Sequence, residues 1–396
     1  MTADNGADTG ANEEARRDAD EARARRIAAW SAARHKLADG SVDGTLAGHL
    51  ARLAEEGAAV HGLDDRPDIY GNGIVADLEE RTAGLLGTEA AAFFPTGTMA
   101  QQVALRCWAG RTGNPVVALH PMAHPERHER GALARLAGLH TVHPTAEPRP
   151  PSAREVRETA EPFGTLMLEL PLRDAGFVLP SWEELVETVG AARERDAVVH
   201  FDGARLWECT PHFGRPLPEI AALADSVYVS YYKSLGGLSG AALAGPSDLV
   251  EEARAWRHRY GGQVFQQWPA ALAALVGLER ELPRLPEYVA HARVVAAALR
   301  EGLAAAGVRW FRVHPGEPHT HQFQVWLPYG AEALTEAGVR QAEEDGAVLF
   351  RAWDAPGPPG LAVTEVTVAA PGLAWRPEDV RAALSGFLAR LPAAGG

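Results

Sequence analysis

The sequence predicts an α/β protein, with a large domain built on a mostly parallel seven-stranded sheet and a smaller C-terminal α+β domain. Between about residues 73 and 268, short apolar segments alternate with helical patterns. Beyond 268, two long helical stretches rich in alanine and leucine replace this alternation. Alternating strands and helices are typical of a parallel sheet that is covered on both faces. With 396 residues, the chain is long enough for both domains.

Seven short apolar segments predict the strands of the large sheet. They lie at 90–94, 115–120, near 139, and at 165–170, 197–202, 226–232 and 241–245. Helical patterns separate or flank them at 77–86, 99–108, 130–137, 182–195 and 248–260. In the C-terminal domain, strands are predicted near 310 and at 323–327 and 365–370, with helices at 331–344 and from about 377.

The N-terminal part of the chain has few apolar residues. Residues 1–26 mix alanine with charged residues, and we expect a disordered tail there. Residues 27–72 are expected to form a helical lead-in, with one helix near 45–56. The remaining parts are then the large domain at 73–268 and the small domain at 269–396.

The composition excludes several classes of protein. The formal net charge is −14, which argues against binding to nucleic acid or to anionic membranes, since both require a basic surface. We find no signal peptide and no apolar run long enough to span a bilayer. The two cysteines, Cys107 and Cys209, form neither a disulfide framework nor a metal motif, so a reducing, cytoplasmic setting is expected and no metal is predicted.

A glycine flanked by hydroxyl residues stands between the first predicted strand and the helix that follows it. In Thr96-Gly97-Thr98, free backbone N–H groups and the helix dipole would favour a phosphate group. The alternative is an ordinary helix N-cap made by Thr96 or Thr98. Phosphate binding and simple capping are both open at this point.

Two charged residues follow buried strands of the same sheet. Asp202 ends an apolar strand, at the edge where open α/β sheets bind ligands, although it could simply pair with Arg205. Lys233 follows another strand and precedes a glycine-rich turn, and the chain has only one other lysine, Lys36. Burial lowers the pKa of a lysine and makes its amine a nucleophile, whereas a snorkelling lysine is the alternative.

Together these residues describe a site for pyridoxal 5′-phosphate (PLP). The cofactor needs a phosphate cradle, an acid for its ring nitrogen and a lysine for its aldehyde. It commonly has a flat group stacked on its ring, and His124, which follows a predicted strand, is the candidate. A polar loop histidine is the alternative for His124.

These residues lie in stretches that resemble the threonine aldolase and β-eliminating lyase family of fold-type-I PLP enzymes. The resemblance covers roughly residues 65 to 280. Its most specific parts are the run from His200 to Trp207 and the downstream Lys233-Ser234-Leu235-Gly236-Gly237. Further matches are Tyr70-Gly71, Leu78-Glu79-Glu80, Phe94 to Ala100, His124, Glu129 with Gly131-Ala132, and Glu169.

The resemblance implies a role for each matching residue. Lys233 would bind the PLP aldehyde, Asp202 would pair with the ring nitrogen, and His124 would stack on the ring. Arg205 would hold the substrate carboxylate, for which a guanidinium fork is well shaped. The remaining positions are Thr96, Gly97 and Thr98 at the phosphate, and Tyr70 and Glu129 near the substrate.

Several positions depart from the family pattern. The serine-containing N-terminal stretch has no counterpart, and Leu170 follows Glu169 where the family has a histidine close by. His128 replaces an aromatic residue, Tyr232 a hydroxyl residue, and Thr367 an arginine. PLP binding is therefore expected to be intact, and substrate recognition altered.

The activity that the resemblance implies is cleavage of an L-threonine-like β-hydroxy-α-amino acid to glycine and an aldehyde. A base must take the hydroxyl proton, and His128, or else His124, is the candidate, with His319 and His321 as further candidates. The alternatives are a PLP-dependent β-eliminating lyase, racemase or transaldolase, and an inactive PLP-binding homologue. The resemblance also implies a homodimer or homotetramer, in which the basic stretch around Arg257 reaches a neighbour's phosphate or simply ends a helix.

Overall fold

The structure is a computed structural model that describes residues 7–40 and 44–392. The chain divides into two units. The large unit comprises Ala47–Ala290 and Pro318–Phe323. The small unit comprises Met1–Leu46, His291–Glu317 and Gln324–Gly396, so it combines both ends of the chain. The boundary after Ala290 lies later than the one expected at 268, and the predicted lead-in at 27–72 is divided between the units.

The secondary structure alternates through most of the large unit. The described strands are β1 (His35–Lys36), β2 (Ala90–Phe94), β3 (Val116–Ala118), β4 (His140–Val142), β5 (Thr165–Glu169), β6 (Val198–Gly203), β7 (Ser226–Ser230), β8 (Ala241–Gly245), β9 (Arg312–His314), β10 (Gln322–Leu327), β11 (Ala347–Val348) and β12 (Ala362–Thr367).

The described α-helices are α1 (Ala7–Ala32), α2 (Leu46–Gly57), α3 (Ile74–Leu86), α4 (Gly97–Thr112), α5 (His124–Arg127), α6 (Ala153–Glu158), α7 (Trp182–Arg193), α8 (Thr210–Phe213), α9 (Leu217–Ala221), α10 (Ser247–Arg259), α11 (Trp268–Arg280), α12 (Leu285–Ala305), α13 (Ala331–Asp345) and α14 (Pro377–Leu388). Short 3₁₀ or π turns occur at Leu133–Ala137, Leu206–Glu208, Leu282–Arg284 and Ala370–Ala374. No helix among the described residues is long and apolar enough to cross a membrane.

The large unit contains the seven-stranded sheet, which confirms the predicted fold class. Its strand order is β2-β8-β7-β6-β5-β3-β4. The run from β7 to β4 is parallel, and β8 is antiparallel to both of its neighbours. Strands β7 and β8 are completely buried, as expected for a sheet covered on both faces. The parallel strands β5, β6 and β7 therefore end at one edge of the sheet.

A buried polar chain crosses the core beneath this edge. His200 on β6 hydrogen-bonds Ser226 at 2.7 Å and Gln101 of α4 at 2.7 Å, and Trp108 donates to Ser226 at 2.7 Å. Burial lowers the pKa of His200 to about 3, so the ring is neutral and serves as a structural link. The hydrogen bonds explain why the core tolerates these polar groups.

The small unit contains a three-stranded sheet in the order β12-β10-β9, and β1 pairs in parallel with β11. The prediction of a disordered tail at residues 1–26 is wrong for residues 7–26, which belong to helix α1. Residues 1–6 lie outside the described residues. Alanine, glutamate and arginine have high helix propensity, which explains a helix with few apolar residues. The helix is held by Arg25, which pairs with Glu336 at 3.0 Å and Glu343 at 2.7 Å.

Candidate active site

A cavity opens where strands β5, β6 and β7 end. Glu169 ends β5 and pairs in register with Asp202 on β6, and Lys233 follows β7 by three residues. The chain order brings these three charged side chains to one edge, as the sequence predicted for Asp202 and Lys233. The cavity is lined by His124, His128, Glu169, Leu170, Pro171, Arg173, Asp174, Asp202, Ala204, Arg205 and Lys233.

Asp202 is buried and only 2% exposed. Its Oδ1 accepts the backbone N–H of Ala204 at 3.2 Å, and it forms no ion pair with another described residue, so the expected alternative of a pair with Arg205 does not occur. Burial raises the pKa of Asp202, while the positive charge of Lys233 opposes this rise. A buried carboxylate without a cation is costly, so this position favours a ligand with a protonated nitrogen.

Lys233 is mostly buried beside this acid. Its Nζ lies 5.9 Å from the centre of the Tyr232 ring, and no ion pair to Lys233 is found in the described part of the chain. Burial, together with the charge of Arg205, lowers the pKa of Lys233 to about 8. A larger share of the amine is therefore neutral near pH 8 than for an ordinary lysine, as a carbonyl-binding amine requires.

The N-terminus of α4 combines capping with a close approach to the sheet. Thr96 Oγ1 accepts the backbone N–H of Met99 at 3.2 Å, so Thr96 is the helix N-cap that the sequence offered as an alternative. Gly97 packs against the Tyr228 hydroxyl so closely that any Cβ there would collide with it. Tyr228 is the register partner of Asp202, so Gly97 and Thr98 lie on the same side of the sheet as the acid.

His124 begins α5 and is held from both sides. Its Nδ1 donates to Glu129 Oε1 at 3.2 Å, and its backbone N–H donates to Glu169 Oε2 at 2.7 Å. The hydrogen bond to Glu129 raises the pKa of His124, against the effect of burial. Glu129 is itself buried and accepts a bond from Gln102 at 2.8 Å. Glu129 therefore orients His124, and it is not among the residues that line the cavity.

His128 and Asp174 form a hydrogen-bonded dyad on the cavity wall. His128 Nε2 lies 2.9 Å from Asp174 Oδ2, and the His128 ring lies 5.2 Å from that of His124. Arg173 Nη1 approaches Asp174 at 3.4 Å. The dyad fixes the Nε2–H tautomer of a neutral His128, which leaves Nδ1 as the basic nitrogen.

Arg205 stacks on an aromatic ring and has no acidic partner among the described side chains. Its guanidinium carbon lies 5.2 Å from the centre of the Phe177 ring. Its buried Nε has no hydrogen-bond partner within the described residues. A guanidinium held in this way is well suited to a carboxylate ligand.

The other predicted residues lie outside the cavity lining. Tyr70 is 53% exposed and contacts Phe265, with ring centres 5.3 Å apart. His319 accepts the backbone N–H of Leu179 at 2.9 Å, and His321 pairs with Glu208. Arg257 is buried within its own chain.

Arg257, in the basic stretch at the end of α10, forms its contacts within the large unit. Its Nη1 lies 3.3 Å from Glu79 Oε1 and also donates to the Phe93 carbonyl. Burial lowers the pKa of Arg257, while the charge of Glu79 opposes this. The guanidinium is thus committed to the core of the large unit, in line with the second interpretation of this stretch.

The sequence pattern indicates no role for Arg173, Asp174 or Phe177, and it indicates Glu169 only through the family resemblance. The signal in the sequence for Arg173 and Asp174 is their position just after the end of β5, where Leu170 departs from the family pattern. Phe177 carries no such signal, because its contact with Arg205 depends on tertiary packing.

Comparisons with known proteins identify the family of this chain. The family model of the beta-eliminating lyases matches residues 54–314. Low-specificity L-threonine aldolase 1 of Arabidopsis thaliana is 30% identical over 285 residues, which cover 69% of this chain and 77% of that protein. The low specificity L-threonine aldolase of Escherichia coli K12 is 33% identical over 241 residues, covering 59% of this chain and 72% of that protein.

Solved structures show the same fold. A Listeria monocytogenes protein assigned as an L-allo-threonine aldolase superimposes with a TM-score of 0.82 at 31% identity, covering 93% of this chain and 99% of that one. Serine palmitoyltransferase of Sphingomonas wittichii, at 17% identity and a TM-score of 0.61 over 86% of this chain and 84% of that one, shares the fold alone. The chain belongs to the beta-eliminating lyase family, a family of PLP-dependent lyases.

Proposed function

We propose that this protein is a PLP-dependent aldolase that cleaves an L-threonine-like β-hydroxy-α-amino acid to glycine and an aldehyde. The observation that carries the proposal is the shared cavity of Lys233, Asp202 and Arg205, in which none of the three forms an ion pair with a described residue. An amine, a buried acid and a carboxylate receptor are the groups that an amino-acid reaction with PLP requires. The relatives named as threonine aldolases support the substrate class.

The residues present fit PLP. Lys233 would bind its aldehyde carbon, Asp202 would keep its ring nitrogen protonated, and His124 would stack on its ring. The backbone N–H groups of Gly97 and Thr98, at the N-terminus of α4, would bind its phosphate. When bound, PLP supplies an electron sink for the pair that remains on Cα when the Cα–Cβ bond breaks.

The protein's own residues would then orient the amino acid and move one proton. Arg205 would hold the α-carboxylate, since its fork matches two carboxylate oxygens. His128 Nδ1 would accept the β-hydroxyl proton, with Asp174 holding the ring and stabilising its charged form. A carboxylate in this position fixes the tautomer and the orientation of a histidine ring.

The test is absorbance spectroscopy on purified protein with PLP, followed by product analysis. We expect a visible band that Lys233→Ala abolishes, that Lys36→Ala preserves, and that shifts on addition of glycine. With L-threonine, the expected products are glycine and acetaldehyde. A bound cofactor that responds to neither amino acid would refute the aldolase proposal.

The positions that depart from the family pattern are a structural reason to test reactions other than aldol cleavage. Leu170 and Pro171 line the cavity where the family has a histidine nearby, so this part of the lining offers no histidine to the substrate hydroxyl. Ammonia and a keto acid as products would identify β-elimination, and exchange between two aldehydes would identify a transaldolase. PLP binding without turnover of any amino acid would identify an inactive homologue.

We also propose a cytoplasmic homodimer or homotetramer. Tyr70, Val264 and Phe265 are 43% to 54% exposed in this chain and form an apolar patch, which a second copy would cover. Cys107 and Cys209 are both free, which fits a reducing compartment. Light scattering of the purified protein tests the oligomeric state, and a monomer at micromolar concentration would contradict it.

A further inference from the structure

A buried acid outside the cavity lining contacts the residue that directly follows the lysine. Glu208 is completely buried, and its Oε2 accepts a hydrogen bond from the Ser234 hydroxyl. His321 Nε2 lies 3.0 Å from the same oxygen, and the side chain of His321 is only 5% exposed. The proposed reaction uses none of these three residues, although all of them are polar and buried or partly buried.

The cluster is fixed on its far side as well. The His321 ring stacks on Tyr288, with ring centres 6.1 Å apart and planes 20° from parallel. The Tyr288 hydroxyl in turn donates to Glu281 at 2.8 Å. A buried carboxyl group is costly unless polar groups compensate it, and Ser234 and His321 both lie against the Oε2 atom of Glu208. Glu208 and His321 therefore form one oriented unit.

Chain connectivity shows what this unit holds. Glu208 ends the short turn Leu206–Glu208, which begins directly after Arg205 and soon after Asp202. Ser234 directly follows Lys233. The Ser234–Glu208 hydrogen bond thus ties the segment that carries the acid and the carboxylate receptor to the segment that carries the amine.

The lysine segment is a short turn that is restrained on both sides of Ser234, since the buried Leu235 also packs against Gly277 of α11. Gly236 has a φ of +69°, a conformation that favours glycine, and the backbone bond that closes the turn runs from the Gly237 N–H to the Tyr231 carbonyl at 2.9 Å. Between these points, the Ser234 hydroxyl is the side-chain anchor nearest to Lys233. An amine displaced by about 1 Å can lose about a hundredfold in rate.

We propose that Glu208 is a positioning residue that acts through Ser234, fixing the Lys233 amine in the cavity relative to Asp202 and Arg205. The role in turnover rests on the proposed function, but the position of the amine does not. Glu208→Ala and Ser234→Ala should both release the lysine segment. Glu208→Gln keeps a side-chain oxygen that can accept the Ser234 hydroxyl, so the lysine segment should stay in place in this variant.

The test uses the scarcity of lysine. Because Lys36 and Lys233 are the only lysines, trinitrobenzenesulfonate labelling of the full chain before PLP addition, read by peptide mass spectrometry, follows each amine separately. The pH profile of labelling gives the apparent pKa of Lys233. In Glu208→Ala and Ser234→Ala, we expect this pKa to rise by about one unit toward the ordinary lysine value, because the amine gains solvent. Glu208→Gln and the control Ser239→Ala, an exposed serine of the same loop, should match the unchanged protein.

Activity provides the second readout. Glu208→Ala should lower kcat for the amino acid by about tenfold or more with little change in KM, and Glu208→Gln should recover most of it. An unchanged Lys233 labelling profile in Ser234→Ala would overturn the proposal, and this variant decides the matter even if Glu208→Ala fails to fold. A shifted profile without aldol cleavage in any variant would leave the positioning role in place and reject the proposed function instead.

Discussion

The carboxylate of Glu169 accepts the backbone N–H of His124 at 2.7 Å, while its other oxygen accepts the N–H of Arg173 at 3.1 Å. One partly buried side chain therefore joins two walls of the cavity. Glu169 also lies beside Asp202 across neighbouring strands. Burial, reinforced by the negative charge of Asp202, raises the pKa of Glu169 from its ordinary value to about 7.

This raised pKa makes stability depend on pH. The folded state holds a proton on Glu169 more tightly than the unfolded chain, whose carboxyl titrates near its ordinary value. The stabilisation of the folded state by this proton is complete below about pH 4.5, and it is lost as the pH rises through about 7. We expect the free energy of unfolding of the cofactor-free protein to fall across this range.

Glu169→Gln should flatten that dependence, because an amide does not titrate. Urea unfolding at pH 5, 6, 7 and 8 measures the slope for both proteins. The absolute stability of the variant will be lower, since an amide cannot accept both backbone bonds. The comparison therefore concerns the slope, and equal slopes would show that Glu169 does not titrate in this range.

The same strand ends show how far the sequence could predict the site. Asp202 and Lys233 are predictable from the sequence because a lone charge after a buried apolar strand has few structural explanations. The partners of Arg257 and His321 could not be found in this way, because Glu79 and Glu208 are distant in the sequence. Helix α1 is not predictable from the sequence because its sparse apolar pattern also fits a disordered chain, and its ion pairs with α13 are long-range.

Asp174 should matter through His128. Asp174→Asn keeps the size of the side chain but can bind the wrong tautomer of the imidazole, so the basic nitrogen would no longer face the substrate. We expect kcat to fall by about ten- to a hundredfold and KM to change little. Steady-state kinetics on L-threonine measures this, with Asp248→Asn, on the surface beside Arg111, as the control. Equal losses in both variants would remove His128 from the role of base.

Arg205 should determine binding of the substrate carboxylate. Arg205→Lys keeps the charge but loses the planar fork and the stacking on Phe177. KM should rise by about tenfold or more, with a smaller effect on kcat, because the lost contact serves bound substrate and transition state alike. Arg111→Lys, which changes a surface ion pair, should leave KM unchanged. The prediction fails if KM for L-threonine is the same in both variants.

Two glycines of helix α4 provide a matched comparison. A Cβ at Gly97 would collide with the Tyr228 hydroxyl, whereas one at Gly110 would meet no atom within 4 Å. Gly97→Ala should therefore lower the free energy of unfolding by about 1–3 kcal/mol and weaken PLP binding. Gly110→Ala should raise stability by about 0.5–1 kcal/mol, since alanine is the better helix former.

The collision at Gly97 also predicts a rescue. Tyr228→Phe removes the hydroxyl that the new methyl group would strike, so Gly97→Ala combined with Tyr228→Phe should recover part of the lost stability. Urea unfolding and PLP titration of the two single variants and the double variant form a double-mutant cycle. A coupling energy near zero would mean that the Tyr228 hydroxyl is not the reason why Gly97→Ala is destabilising. A favourable coupling would show that contact between α4 and β7 sets the place of the phosphate-binding backbone relative to Asp202.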